Sequence, residues 1–223
     1  MPKRPASNDS PQALIDAAIE LFGRHGYSAV STRALCRHAG TNVAAIKYHF
    51  GGKDQLYRGA IQHVVDIFGP RLDMVLAGFI QGRDLAGDDR DRQARLISNL
   101  VRGLLNMLLG SEDMKRFVPF VIREFFVPSQ HFSLFYDALP RRLHTLFTEI
   151  VAMAHGLDPQ SEQAVIRAHA VIGQIMVFNI GREILFRRLD WDDYDDARIQ
   201  RITREVETMV LQTLHLELPD ELD

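Results

Sequence analysis

Within STRALCRHAGTNVAAIKYHFGGKDQLY, residues 31–57, six side chains can donate hydrogen bonds outward: Thr32, Arg33, Lys47, Tyr48, His49 and Lys53. Arg33 carries a planar fork that matches paired acceptors, and Lys47 a single ammonium. Val43, Ala44 and Ala45 set small apolar groups beside them, suited to contact with a methyl. Such donors bind phosphate oxygens and the edge of guanine. Theirs is the chemistry of recognising a polyanion, not of making or breaking bonds.

Two short helices must hold these groups. The spacing predicts one from a cap at Ser31 or Thr32 to Gly40, a turn at Gly40-Thr41-Asn42, and a second over about Val43 to Phe50. On a 100° wheel Ile46 and Phe50 point inward, Ala44, Ala45 and Tyr48 lie opposite, and Lys47 flanks them. In a helix-turn-helix the N-terminal end of the second helix meets base edges in the major groove. Val43, Ala44, Ala45 and Lys47 would then face bases, with Arg33 beside them. Thr32, Tyr48, His49 and Lys53 would contact phosphates. His49 fits equally well as a packing residue between the second and fourth helices, while Arg24 and Arg37 read better as solvated or paired with acids.

Upstream, Ser10-Pro11 starts a helix, with Ser as cap and Pro at the first helical position. Its Leu14, Ala18, Leu21 and Phe22 share a face, and Arg24, His25 and Gly26 end it. Residues 1–10 read as a disordered arm in which Lys3 and Arg4 add non-specific attraction. A fourth helix is expected from near Lys53 to about Phe68, before Gly69-Pro70.

The charge distribution agrees with an anionic partner for this end. The whole chain of 223 residues has a net charge of −3, but residues 1–58 hold eight Lys or Arg and four acids, which makes that segment +4 and the remainder −7. Cys36 is the single cysteine, so no intrachain disulfide can form; a small buried thiol in a cytoplasmic protein is expected. No apolar stretch opens the chain, so no signal peptide is expected. The greasiest segment, near 164–186, is interrupted by His169, Gln174, Asn179, Arg182 and Glu183, and reads as too polar to span a bilayer.

Beyond residue 69 the pattern stays helical. Gly82 to Asp91 reads as a polar break; Ile97, Val101, Leu104, Leu105 and Leu108 form the next stripe, ended by Gly110. Another helix covers about 112–127, and Pro140 divides a segment from 130 to 155. Asp158-Pro159 is expected to start a helix apolar nearly all round through Phe186. After the acidic loop at 190–196, Ile199, Ile202, Val206, Met209 and Val210 mark the last helix. The class is all-α: a three-helix DNA-binding unit at 11–68, with its helix-turn-helix near 31–50, and a larger helical unit at 69–223.

With those residues placed, the first sixty or so positions resemble the DNA-binding domain of the TetR/AcrR family of bacterial regulators. The matching features are Ala18 to Phe22 with Gly26-Tyr27, the Thr32-Arg33 helix start, Gly40, and Tyr48-His49-Phe50 followed by Gly51-Gly52-Lys53 and Leu56-Tyr57. Arg123-Glu124 and the run from His169 through Glu183 are similar to the CerR-type (CecR-like) branch. Thr41-Asn42 stands where the family usually has Val-Ser, Lys47 where Tyr is common, and Gly52 where Ser or Asn caps the helix. The resemblance implies a homodimer joined through the last two helices, about 160–187 and 196–215, on a palindromic double-stranded DNA operator. It also implies repression released by a small effector and supports a base contact for Arg33; nothing in the residues excludes activation.

An effector chamber is expected among the aromatics of 96–186, with an apolar or aromatic ligand. Polar residues in greasy helices mark its wall best, because burying them unpaired is costly. The candidates are Asn106, Met107, Phe120, Arg123, Glu124, His144, Phe147, His169, Gln174 and Asn179; Arg123 and Glu124 serve equally well as interhelical ties. No cofactor or metal is expected. His63, His131, His144, His155 and His169 have no HExxH or CxxC-type spacing, no G-x-S-x-G occurs, and the 190–196 acids lack Ca²⁺-loop spacing. Two other classes stay open: a helical carrier of hydrophobic ligands without specific DNA binding, and, least supported, an enzyme.

Overall fold

The computed structural model describes residues 10–217, and among them every regular element is a helix. In order these are α1 (Pro11–His25), α2 (Thr32–His38), α3 (Val43–Phe50), α4 (Lys53–Ala86), α5 (Arg90–Leu109) and α6 (Glu112–Phe126). Then come α7 (Phe132–Ala138), α8 (Pro140–His155), α9 (Glu162–Ile180), α10 (Arg182–Leu189) and α11 (Asp196–Thr213). Of the N-terminal arm, residues 1–9, including Lys3 and Arg4, lie outside the described residues.

The chain forms two compact units. One comprises the residues up to Phe68 together with Arg116–Tyr136; the other comprises Gly69–Lys115 and Asp137 onward. The first therefore takes in most of α6 and nearly all of α7, segments that sequence order alone groups with the larger unit.

Two expected boundaries move. Helix α4 runs through Gly69-Pro70 to Ala86. Pro70 has no N–H to offer the carbonyl four residues back. Yet Phe68, Leu72, Leu76 and Phe79 keep the apolar stripe going, and all four are buried. Tertiary packing, more than local propensity, decides helix length. Helix α9 begins at Glu162, not at Asp158-Pro159. The Asp158 side chain accepts from Gln160 N–H at 2.9 Å and its carbonyl accepts from the Ser161 hydroxyl at 2.6 Å, a local turn that competes with helix. Ser161 then caps the helix by accepting from Ala164 N–H. Gly181 closes α9, its N–H donating to the Val177 carbonyl at 2.8 Å, and the segment expected as one helix is divided there.

In the second unit Val101, Leu104 and Leu105 of α5 are fully buried, as are Phe147 and Val151 of α8, Ala168 and Val171 of α9, and Val206 and Val210 of α11. By length and mean hydropathy (1.2) α9 is apolar enough to cross a bilayer, contrary to the sequence expectation, yet only 28% of it is buried within the chain. Its exposed residues include Ile166, Ala170, Gly173, Val177 and Ile180, small and apolar groups alternately four and three residues apart, and Ile184 is exposed on α10 beyond the division at Gly181.

Candidate nucleic-acid interface

The two helices that carry the donors are held by short polar caps and by glycines. Ser31 accepts from Ala34 N–H at 3.1 Å to start α2, and Asn42 accepts from Ala45 N–H at 3.1 Å to start α3. Of the two candidate α2 caps, Ser31 is the one used. Asn42, expected only as part of the turn, is thus a cap as well, and an Asn directly before a helix is a recognisable cap signal. Between the helices Gly40 has φ +68°, and Gly51 ends α3 at φ +77° with its N–H on the Lys47 carbonyl at 3.0 Å. Both conformations favour glycine.

Behind α3 lies a dense support. Leu35, Cys36, Ala45, Ile46 and Leu56 are buried, so the single thiol is the expected core group. The rings of Phe22, Tyr27, Tyr57 and Phe120 form a cluster: Phe22–Tyr57 centroids are 4.9 Å apart, Tyr27–Tyr57 5.2 Å and Tyr57–Phe120 5.3 Å. The Tyr57 hydroxyl donates to the fully buried Glu124 carboxylate, which also accepts from the Ser129 hydroxyl at 3.1 Å. Burial, and then that carboxylate, push the Tyr57 pKa well above the usual phenol value. Gly23 makes the packing of α1 on α6 possible, since a Cβ there would come within 2.9 Å of the Phe120 backbone nitrogen.

Outward, α3 presents Val43, Ala44, Lys47 and Tyr48, all exposed, with Val43 at 50% and Tyr48 at 84%. Arg33 is exposed on α2, Thr32 half-buried at its start, and His49 half-buried with its ring centre 4.8 Å from that of Tyr48, edge to face. Two expected contacts do not survive. Ala45 is 4% exposed and cannot reach a base. The buried arc of α3 is centred between Ile46 and His49, with Phe50 at its margin, and so Ala45 turns inward. Lys53 is engaged elsewhere: its ammonium donates to the Tyr27 carbonyl at 2.6 Å and sits 4.1 Å from the centre of the Tyr27 ring. Burial lowers its pKa. Arg24 pairs with Glu20 at 3.1 Å, as a solvated ion pair, and Arg37 is exposed.

The residues expected around an effector do not gather. Phe120, Arg123 and Glu124 belong to the first unit, where Arg123 donates to the carbonyls of Gly23 and Arg24 and Glu124 binds Tyr57. Both act as ties between helices. In the second unit Phe147 is plain core, Met107 is half-buried, and Asn179 donates to the Leu108 carbonyl at 3.0 Å. Gln174 donates to Thr213 at 3.4 Å, and the rings of His144 and His169 stack at 5.5 Å. Asn106 lines a cavity of about 560 Å³, whose other walls are charged and polar groups and Ile199 rather than rings. Among the described residues no cluster of His, Cys, Asp or Glu could hold a metal.

A capped three-helix unit that shows one small-residue, cationic helix to solvent is a helix-turn-helix, the fold of DNA-binding transcriptional regulators. Residues 14–60 match the model for bacterial regulatory proteins of the tetR family, and residues 94–215 match the C-terminal domain of the HTH-type transcriptional dual regulator CecR. The CecR of Shigella flexneri is 30% identical over 92% of this chain and 88% of its own. RaaS of Mycobacterium tuberculosis, an HTH-type regulatory protein, is 41% identical over 51 residues, 23% of this chain and 24% of its own. Among solved structures, a TetR-like regulator from Rhodococcus sp. RHA1 superposes with a TM-score of 0.57 at 16% identity, covering 96% of this chain and 99% of that one. A TetR-family member from Streptomyces coelicolor gives 0.53 at 18%, with 94% and 92% covered. The chain belongs to the TetR family of transcriptional regulators, with a CecR-type C-terminal domain; it is a regulator and not an enzyme.

Proposed function

We propose that this protein binds a palindromic operator as a homodimer, represses the adjacent genes, and is released when a small effector binds its C-terminal region. The observation that carries the DNA reading is the solvent face of α3. Val43 and Ala44 offer methyls for thymine, Lys47 a cation for guanine or phosphate, and Tyr48 a hydroxyl for phosphate, with Arg33 alongside. One such unit covers too few base pairs for selectivity, and pairing two on half-sites about one helical turn apart is the usual remedy. The apolar face of α9 and the start of α10 support that pairing: Ile166 and Val177 of α9 and Ile184 of α10 are 59%, 54% and 73% exposed, more than a solvated helix needs. Helix α4 has residues in both compact units, so it is the natural carrier of coupling, and about 1–3 kcal/mol of coupling gives a several-fold to hundredfold change in affinity. The Shigella flexneri relative is named a dual regulator, which supports activation at some promoters beside repression.

Footprinting of genomic fragments by the full chain tests this reading, with gel shifts over a range of salt. A two-fold protected site whose affinity falls steeply with salt is the expected result. A hydrophobic-ligand carrier would give no specific complex even at low salt, and that result would remove the proposal.

A further inference from the structure

The groove between α5 and α11, whose volume is about 560 Å³, falls in the range of about 300–1,000 Å³ typical of small-molecule sites. Both helices belong to the second unit. Its wall holds one buried hydroxyl that the fold leaves without a partner and one buried carboxylate held by an exposed arginine. Thr203 is 5% exposed and its Oγ1 has no hydrogen-bond partner; Glu207 is 2% exposed and its Oε1 pairs with Arg102 at 3.0 Å. Buried polar atoms are nearly always satisfied, so an orphan hydroxyl on the wall of a groove asks for an external partner.

What that partner carries follows from the lining. Arg102 Nη2 pairs with Glu207 Oε1 at 3.0 Å, but the Arg102 side chain is more than half exposed, so the carboxylate is closed off from solvent by a group that is itself solvated. Burial raises the Glu207 pKa and Arg102 offsets part of that, so the carboxylate gains from a better-placed cationic donor. Arg204, exposed on the same wall, has no ion-pair partner among the described residues, and Asp196 stands at the N-terminal end of α11. Two guanidinium and two carboxylate groups make a wall of mixed sign. We infer that this groove binds a small zwitterion, a free amino acid or a dipeptide. Its ammonium would replace Arg102 at Glu207 and Thr203, and its carboxylate would take the forks of Arg102 and Arg204.

This goes beyond the regulatory reading, which expects an apolar effector, and its test uses no DNA, so its failure leaves operator binding untouched. The full-length protein is screened by thermal shift against each free amino acid and each glycyl dipeptide at millimolar concentration. Whichever compound raises Tm is then titrated calorimetrically, along with its N-acetyl and C-amide forms. At least one zwitterion raises Tm, and either cap weakens binding about tenfold or more. Thr203→Val and Glu207→Gln weaken binding by as much while the unliganded variants melt at or above the parent Tm, because the first removes an unsatisfied buried hydroxyl and the second a buried charge whose partner is an exposed arginine. A purely structural role for these residues predicts lower Tm instead. The inference is overturned if no member of the panel raises Tm, if the capped forms bind as well, or if the two variants bind like the parent.

Discussion

Arg33 and Lys47 differ in what they can read, and the difference is measurable. A guanidinium on guanine is bidentate, so Arg33→Ala should cost about 1–3 kcal/mol and relax preference at one base position. Lys47→Ala should weaken binding more uniformly and, if the ammonium meets a phosphate, lower the log–log salt slope by about one. Tyr48, at 84% exposure, supports nothing in the fold. Tyr48→Ala should leave stability within about 0.5 kcal/mol and yet reduce operator affinity, a pair of readings from chemical denaturation and gel shift. Ala45→Leu should behave oppositely, losing about 1–3 kcal/mol of stability, because that position is packed and cannot accept extra methylenes. Should Ala45→Leu fold normally and abolish DNA binding, the assignment of the α3 reading face would be wrong.

Helices α2 and α3 were legible in the sequence because their signals are local: cap, apolar pair, glycine stop. Ala45 was not, because a residue about 70° from the centre of the buried arc goes in or out according to where the neighbouring helix lies, which periodicity alone does not say. Pro70 misled for a related reason. A break signal is local, while the burial of Phe68, Leu72, Leu76 and Phe79 that overrides it is a tertiary outcome that no local signal reports. The polar groove is out of reach of the sequence because it joins α5 to α11 across nearly a hundred residues, and the polarity of Asn106 says nothing of its neighbours. Local devices still make testable statements. Asn42→Ala removes the α3 cap and should cost about 1 kcal/mol, read as a lower midpoint in urea. Helix α8 carries two histidines whose pKa lies below the ordinary value, His144 through burial and His169, His155 through burial, Arg167 and His215. Above about pH 6.5 both folded and unfolded forms are neutral there. As pH falls below it, the unfolded chain protonates first, so stability is lost on acidification. Melting temperature should drop between neutral and mildly acid pH, and His144→Gln with His155→Gln should flatten that drop; an unchanged profile would show that these rings do not report on folding.

At the scale of the whole molecule the apolar face of α9 must be explained or it is a liability. Ile166, Ala170, Gly173, Val177 and Ile180, followed by Ile184 of α10, recur at alternating spacings of four and three, and the small Ala170 and Gly173 would let a second helix approach closely. A monomer leaves this stripe in water; a two-fold pair covers it, with residue i of one copy meeting residue j of the other. Replacing Val177 and Ile184 by Glu puts four like charges into that seam in the dimer and none into the core of either chain, since both positions are already solvated. The folded monomer should therefore keep its helical circular dichroism and, within about 0.5 kcal/mol, its stability at low concentration. Sedimentation should show half the parent mass. Operator affinity should fall far more than removal of any single base contact would cause, because two tethered half-site contacts become two independent ones. A doubly substituted protein that still sediments as the parent does, and binds the operator equally well, would place the two-fold contact elsewhere on the molecule and leave the α9 face without a partner.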